Sequence, residues 1–116
     1  MEDCIFCKIA NHELDSDILF ENDDLIVFAD NHPVAPVHHL VIPKKHIKCL
    51  NEITEEDTEL LGKLQLAIKE AAQRLGVAED GYRVISNCGE NGGQVIDHLH
   101  YHIIGGIKLG SKIVRE

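Results

Sequence analysis

Asp97-His98-Leu99-His100-Tyr101-His102-Ile103-Ile104 sets three imidazoles on alternate positions of a stretch that ends in two β-branched residues. Alternation with period two is the pattern of a strand. It puts His98, His100 and His102 on one face and Leu99, Tyr101 and Ile103 on the other. Same-face neighbours lie roughly 6.5–7 Å apart along a strand, so the rings form a row and each can meet a different partner. A solvent-facing row has no structural purpose, and a buried row needs a hydrogen-bond partner for every ring. Two chemistries suit it: a metal site, since His-x-His on a strand can grip one ion, and phosphate or acyl transfer at an imidazole nucleophile.

The chain of 116 residues is long enough for one core and too short for two, so a single domain over 1–116 is expected. Its 44% hydrophobic and 27% charged residues are ordinary for a soluble globular protein. No apolar run reaches membrane-spanning length. Met1-Glu2-Asp3-Cys4 lacks the basic and apolar regions of a signal peptide, which predicts a cytoplasmic protein with no membrane partner. The net charge is −9, from 20 acidic and 11 basic residues, and the only dense basic patch is Pro43-Lys44-Lys45-His46. That argues against a nucleic-acid polymer as partner, because phosphate neutralisation supplies most of such affinity. A single small nucleotide held by local donors is still compatible. Eight histidines point to chemistry or metal.

Cys4, Cys7, Cys49 and Cys88 are expected to be reduced in a cytoplasmic chain. Cys4-Ile5-Phe6-Cys7 has the spacing of one knuckle of a zinc site, a spacing shared with redox pairs. The redox reading wants a strand before the motif, and the sequence offers none there. Zinc needs two further ligands, which the histidines can supply. Inert packing thiols are the third reading.

Along the chain, strands are expected at 17–21, 25–30 and 38–42. Asn22-Asp23-Asp24 turns the first into the second, and Asn31-His32-Pro33-Val34-Ala35-Pro36 bars regular pairing after the second. Thr54-Glu55-Glu56-Asp57 resembles a capping box with acidic residues at the positive end of a helix. Leu60, Leu61, Leu64, Ile68, Ala71 and Leu75 follow at helical spacing, and Gly76 is the expected stop. A strand at 82–87 and the glycine loop 88–94 lead into the histidine strand. Three strands, a long helix and two strands predict an α+β antiparallel sheet with helices on one face. Gly89, Gly92 and Gly93 allow either a flexible turn or a backbone that approaches a phosphate closely.

The run His98-Leu99-His100-Tyr101-His102-Ile103-Ile104 resembles the His-φ-His-φ-His-φ-φ signature (φ apolar) of the histidine triad superfamily of nucleotide hydrolases and transferases. Cys4-Ile5-Phe6-Cys7-Lys8-Ile9 looks like the family's start. The stretch from Ala35 to His46 looks like its central strand and loop. Gly92-Gly93-Gln94 before the triad and Gly105-Gly106 after it resemble the branch of histidine triad nucleotide-binding proteins. The resemblance implies the histidine triad fold: α+β, a five-stranded antiparallel sheet with one long and one short helix, paired in a homodimer.

It also implies hydrolysis of nucleoside 5′-phosphoramidates or adenylated compounds, on a purine nucleotide, through a covalent nucleotidyl-histidine. His100 matches the nucleophile. His102 matches the position that assists phosphate binding and leaving-group protonation, and His38 matches the histidine that supports it. Asp30 matches the ribose-binding carboxylate, while Asn31, Asn87, Gly93, Gln94 and Val95 match nucleotide-binding positions. In zinc-bearing branches the N-terminal cysteine pair joins two histidines, here giving Cys4, Cys7, His46 and His98. That closed set is structural, and no organic cofactor is implied.

The chemistry suits the row. A neutral imidazole, with an ordinary pKa of about 6.5, is a good nucleophile at phosphorus, and its phosphoryl adduct stays reactive to water. A second, protonated imidazole can stabilise phosphoryl oxygens and protonate an amine. Competing readings are a dinucleoside polyphosphate hydrolase, a nucleotide-binding protein with weak activity, and a metal-dependent hydrolase with His100 as a ligand. The transferase branch resembles a pattern with glutamine at the position of His102. Three departures stand out. Val95 replaces a serine common in relatives, Asn31 replaces an apolar residue of the base pocket, and 107–116 lack a Trp-Pro-Pro-Gly-like ending.

Overall fold

The apolar runs fold into five strands in a computed structural model that describes residues 3–111. They are β1 (Ile18–Glu21), β2 (Leu25–Ala29), β3 (Val37–Pro43), β4 (Tyr82–Ile85) and β5 (Tyr101–Gly105). They make one sheet in the order β1-β2-β3-β5-β4, every neighbouring pair antiparallel. The helices are α1 (Ile5–Ala10) and α2 (Thr58–Arg74). The five-stranded antiparallel sheet with one long and one short helix is as expected. Of the divergent tail, residues 112–116 lie outside the described residues.

Strand β2 is apolar at consecutive positions because both of its faces are covered. Leu25, Val27, Val41 and Ile103 pack with Leu64, Ala67, Ile68 and Ala71 of α2. Ile26, Phe28, Leu40 and Ile42 pack with Phe6, Ile9 and Ala10 of α1 on the opposite face. The helices therefore sandwich the sheet, which corrects the expectation of helices on one face. The six residues of α1 are too few to show a helical period in sequence.

The capping box forms as expected: Thr54 Oγ1 accepts from the Glu56 N–H, and Asp57 Oδ2 accepts from the Thr54 N–H at 2.9 Å. It heads a 3₁₀ turn, Glu55–Asp57, that runs directly into α2. The helix ends at Arg74 with Leu75 as its cap, and Gly76 follows at φ +77, a conformation that costs glycine nothing.

The histidine stretch departs from its expected form. Strand pairing starts only at Tyr101. The Leu99 N–H goes to the Ile47 carbonyl at 2.6 Å and the His98 N–H to the Ile96 carbonyl at 2.9 Å. Both groups are thereby withdrawn from the ladder, and the continuous row becomes an extended lead-in followed by a strand. β4 is likewise two residues shorter than expected, because Ser86 Oγ donates to the His100 carbonyl at 2.8 Å and braces the lead-in instead. Among the described residues no helix is long and apolar enough to cross a membrane.

Candidate active site and metal centre

Strands β3 and β5 carry His38 and His102 on the face that α1 covers, in adjacent registers (His38 opposite Ile104, His102 opposite Leu40). Diagonal neighbours on one face are within reach of long side chains, and His38 Nε2 lies 2.8 Å from His102 Nδ1. The direction of that bond follows from its surroundings. The Val34 N–H donates to His38 Nδ1 at 3.1 Å, which leaves the His38 proton on Nε2. His38 therefore donates to His102 Nδ1, and the proton of a neutral His102 sits on its Nε2. Asp30, at the end of β2, places Oδ2 at 3.3 Å from His38 Nε2 as a second acceptor. Its Oδ1 accepts the His32 N–H at 2.8 Å, which holds the carboxylate still.

His100 is oriented by the main chain. Its Nδ1–H donates to the His98 carbonyl at 2.7 Å, so Nε2 keeps a free lone pair. The ring is buried, edge-on to Phe6 at 5.1 Å and 5.0 Å from the His102 ring. Burial holds the His100 pKa below the usual imidazole range, against the opposing hydrogen bond to the His98 carbonyl. His102 is pushed down to about 4, first by burial and then by the His100 and His38 rings. The expectation of a protonated second imidazole is thus corrected for the free protein. His102 is neutral at neutral pH and offers an N–H.

Both rings open onto a cleft of about 600 Å³. Asp30, Asn31, His38, Asn87, Gly93 and Val95 line it together with His100 and His102. Gln94 does not. Its Nε2 donates to the carbonyls of Lys48 at 2.7 Å and Ile96 at 3.0 Å, and its Oε1 accepts the Gly89 N–H at 2.9 Å. The side chain closes the glycine loop, which leaves only its backbone for a ligand. Asn87 Nδ2 donates to the Gly92 carbonyl at 2.6 Å within the same loop. Sequence reading missed Phe6, which flanks His100, and Val34, whose backbone sets the His38 tautomer. Phe6 stood inside the cysteine motif, but a backbone donor carries no sequence signal.

The N-terminal pair joins the second cluster. Cys4 caps α1, its sulfur accepting the Cys7 N–H at 3.2 Å. Cys4 Sγ is 3.2 Å from His98 Nδ1, while Cys7 Sγ is 3.2 Å from His46 Nδ1 and 3.5 Å from His98 Nδ1. The donor atoms of Cys4, Cys7, His46 and His98 all lie within 4.8 Å of one another. A tetrahedral zinc bonded at about 2.3 Å to sulfur and about 2.0 Å to nitrogen spaces such donors roughly 3.5 Å apart, so the four fit one ion. His98 Nε2–H donates to the Pro43 carbonyl at 2.8 Å, which turns the Nδ1 lone pair toward the sulfurs. Burial, and then Cys4, push the Cys7 thiol up to about 11, an environment that wants a cation beside the sulfur. Asp30, His38 and His102 form another close set, but they are already bonded to one another. His100 belongs to neither set.

Comparison with known proteins agrees along the whole chain. The family model described as "Scavenger mRNA decapping enzyme C-term binding" matches residues 3–113. The purine nucleoside phosphoramidase of Escherichia coli (strain K12) is 38% identical over 115 residues, 99% of this chain and 97% of that protein. A HIT family hydrolase from Clostridium thermocellum superposes with a TM-score of 0.95 at 46% identity, covering 98% of this chain and 99% of the other. A HIT family hydrolase from Legionella pneumophila Philadelphia 1 gives 0.92 at 40% identity, covering 94% and 97%.

Proposed function

The chain belongs to the histidine triad family, and on that premise we propose that it hydrolyses purine nucleoside 5′-phosphoramidates through a nucleotidyl intermediate on His100. The observation that carries this reading is the pairing of His100 Nδ1–H with the His98 carbonyl, which leaves Nε2 free in the cleft beside His102. Nε2 attacks phosphorus, the N–P bond to His100 forms, and the P–N bond to the leaving amine breaks. One proton enters from solvent with the substrate, taken up on His38 Nδ1 as the His38 Nε2 proton passes to His102 Nδ1, and the phosphate anion in the partly desolvated cleft favours the resulting cationic His102. His102 then gives its Nε2 proton to the departing nitrogen. Neutral once more, it accepts a proton from the water that attacks the adduct, and the cycle closes with nucleoside monophosphate and free His100.

Asp30 is suited to the ribose hydroxyls, and Asn31 lies beside it on the cleft wall. Asn87, Gly93 and the backbone at Gln94 and Val95 serve the phosphate side. Cys4, Cys7, His46 and His98 would hold one zinc with no open position, which supplies structural cross-linking of α1 to the sheet. No organic cofactor is required. The partner is one small nucleotide rather than a nucleic-acid polymer, consistent with the net charge of −9. β4 is an edge strand with Tyr82 and Val84 exposed, and it suits pairing of two copies into a homodimer. A cytoplasmic site of action fits reduced cysteines.

The test is His100→Ala. Turnover of an adenosine phosphoramidate should fall by roughly three orders of magnitude or more, because water must then attack phosphorus directly. Adenosine monophosphate binding should persist through Asp30 and the glycine loop. Intact mass after rapid acid-free quenching of the unsubstituted protein should show a nucleotide adduct that peptide mapping places on His100. An active His100→Ala protein, or an adduct on another residue, would overturn the assignment.

A further inference from the structure

Cys49 and Cys88 belong to neither histidine cluster, yet the fold brings them together. Both thiols are free, and their sulfurs lie 2.6 Å apart across a sequence separation of 39. Cys49 is buried at the head of a short 3₁₀ turn, Leu50–Glu52, in the connection from β3 to α2. Cys88 is half-buried and opens the glycine loop. The same two segments are tied a second time, by Gln94 Nε2 on the Lys48 carbonyl at 2.7 Å. On its other side this loop presents Gly93 and Val95 to the cleft, with Asn87 just before it.

We propose that Cys49 and Cys88 form an oxidisable dithiol, which a hydroperoxide closes to a disulfide that tethers the glycine loop to the turn after β3. In the first step Cys88 sulfur attacks the terminal oxygen of the hydroperoxide. An S–O bond forms, the O–O bond breaks, and the alcohol (water, for hydrogen peroxide) leaves with the thiol proton. In the second step Cys49 sulfur attacks the Cys88 sulfenic acid. The S–S bond forms, the S–O bond breaks, and water leaves with the Cys49 proton. Two thiols have lost two protons and two electrons, and the peroxide has taken them up.

Cys88 is the attacking member on two grounds. It is the less buried residue of the two. The Cys49 thiol, followed by the backbone N–H groups of Asn51 and Leu50, holds it below the ordinary thiol range, while Cys88 raises Cys49. In reducing compartments a disulfide is transient and serves sensing or catalysis. The effect on turnover rests on the function proposed above. A tether at Cys88 restricts the backbone at Gly93 and Val95, so it changes KM for a nucleotide substrate and leaves the nucleophile untouched.

The test treats the full-length protein with hydrogen peroxide and follows intact mass, peptide maps and kinetics. The expected result is loss of two hydrogens, a linked Cys49–Cys88 peptide, and a several-fold reversible change in KM that dithiothreitol restores. Cys49→Ser should give instead a Cys88 sulfenic acid trapped by dimedone, with KM unaffected by the link. Absence of the linked peptide, or a link confined to Cys4 and Cys7, would overturn the proposal. A linked protein with unchanged KM would overturn the tether. The linked peptide is read by mass alone, so a failure of the hydrolase reading leaves this result distinguishable.

Discussion

At the scale of single residues, His100 and His102 are neutral for a shared reason and oriented for different ones. Both have pKa values held below the usual imidazole range, His102 at about 4. In the unfolded chain they titrate near 6.5. Between those limits the unfolded state binds more protons, so stability is full above about 6.5 and is lost as pH falls toward about 4. Urea melts at pH 7 and pH 4.5 should show this loss, and His102→Gln should shrink it. The same burial predicts that the acid limb of kcat/KM lies below 6.5, because His100 stays unprotonated there. A limb at or above 6.5 would count against His100 as the nucleophile. The chemistry-bearing positions were legible in sequence because triad spacing survives in any conformation close to extended. The depressed His102 pKa and the role of Gln94 were not. The first comes from burial by the packed fold and then from the His100 and His38 rings, and the second from the Lys48 carbonyl, far off in the chain.

At the scale of elements, the long patterns held and the short ones moved. The unbroken apolar run of β2 and the helical spacing of α2 are sustained over whole elements, and propensity and packing agree there. Leu64, buried at the centre of α2 against the sheet, should cost about 2–5 kcal/mol as Leu64→Ala in denaturant melts. The lead-in before β5 failed as a strand because the Ile47 carbonyl takes the Leu99 N–H, a contact no local pattern contains. In α1 the order comes from a thiol cap and the cysteine–histidine cluster more than from length. Cys7→Ser should therefore lower bound zinc and melting temperature together, measured by elemental analysis and calorimetry. Unchanged melting with metal removed would leave these cysteines as packing residues. In the glycine loop, a Cβ at Gly92 would run into the Cys88 carbonyl. Gly92→Ala should displace the loop and raise KM far more than it lowers kcat.

At the scale of the whole molecule, the sheet order β1-β2-β3-β5-β4 inserts the last strand between its third and fourth. Strand order of this kind is decided by which faces need covering, and sequence pattern shows only that strands exist. The insertion leaves β4 at the edge, with Tyr82 and Val84 exposed. An exposed apolar edge strand invites a second copy. Sedimentation at micromolar concentration should give twice the chain mass of 12.9 kDa. Val84→Lys should shift it toward a single chain, and a protein already monomeric at that concentration would remove the homodimer from the account.

The hydrogen bond from His100 Nδ1–H to a backbone carbonyl has a consequence for how this molecule tolerates mutation. Every amino acid at position 98 carries that carbonyl, so drift there can cost the protein its contact with Cys4 and still spare the tautomer of His100. His102 has no such insurance. Its tautomer is dictated by the imidazole of His38, a side chain that one codon change removes. A loss-of-function screen should therefore find its chemically silent failures, folded and able to bind nucleotide yet slow, at position 38 more often than at position 98.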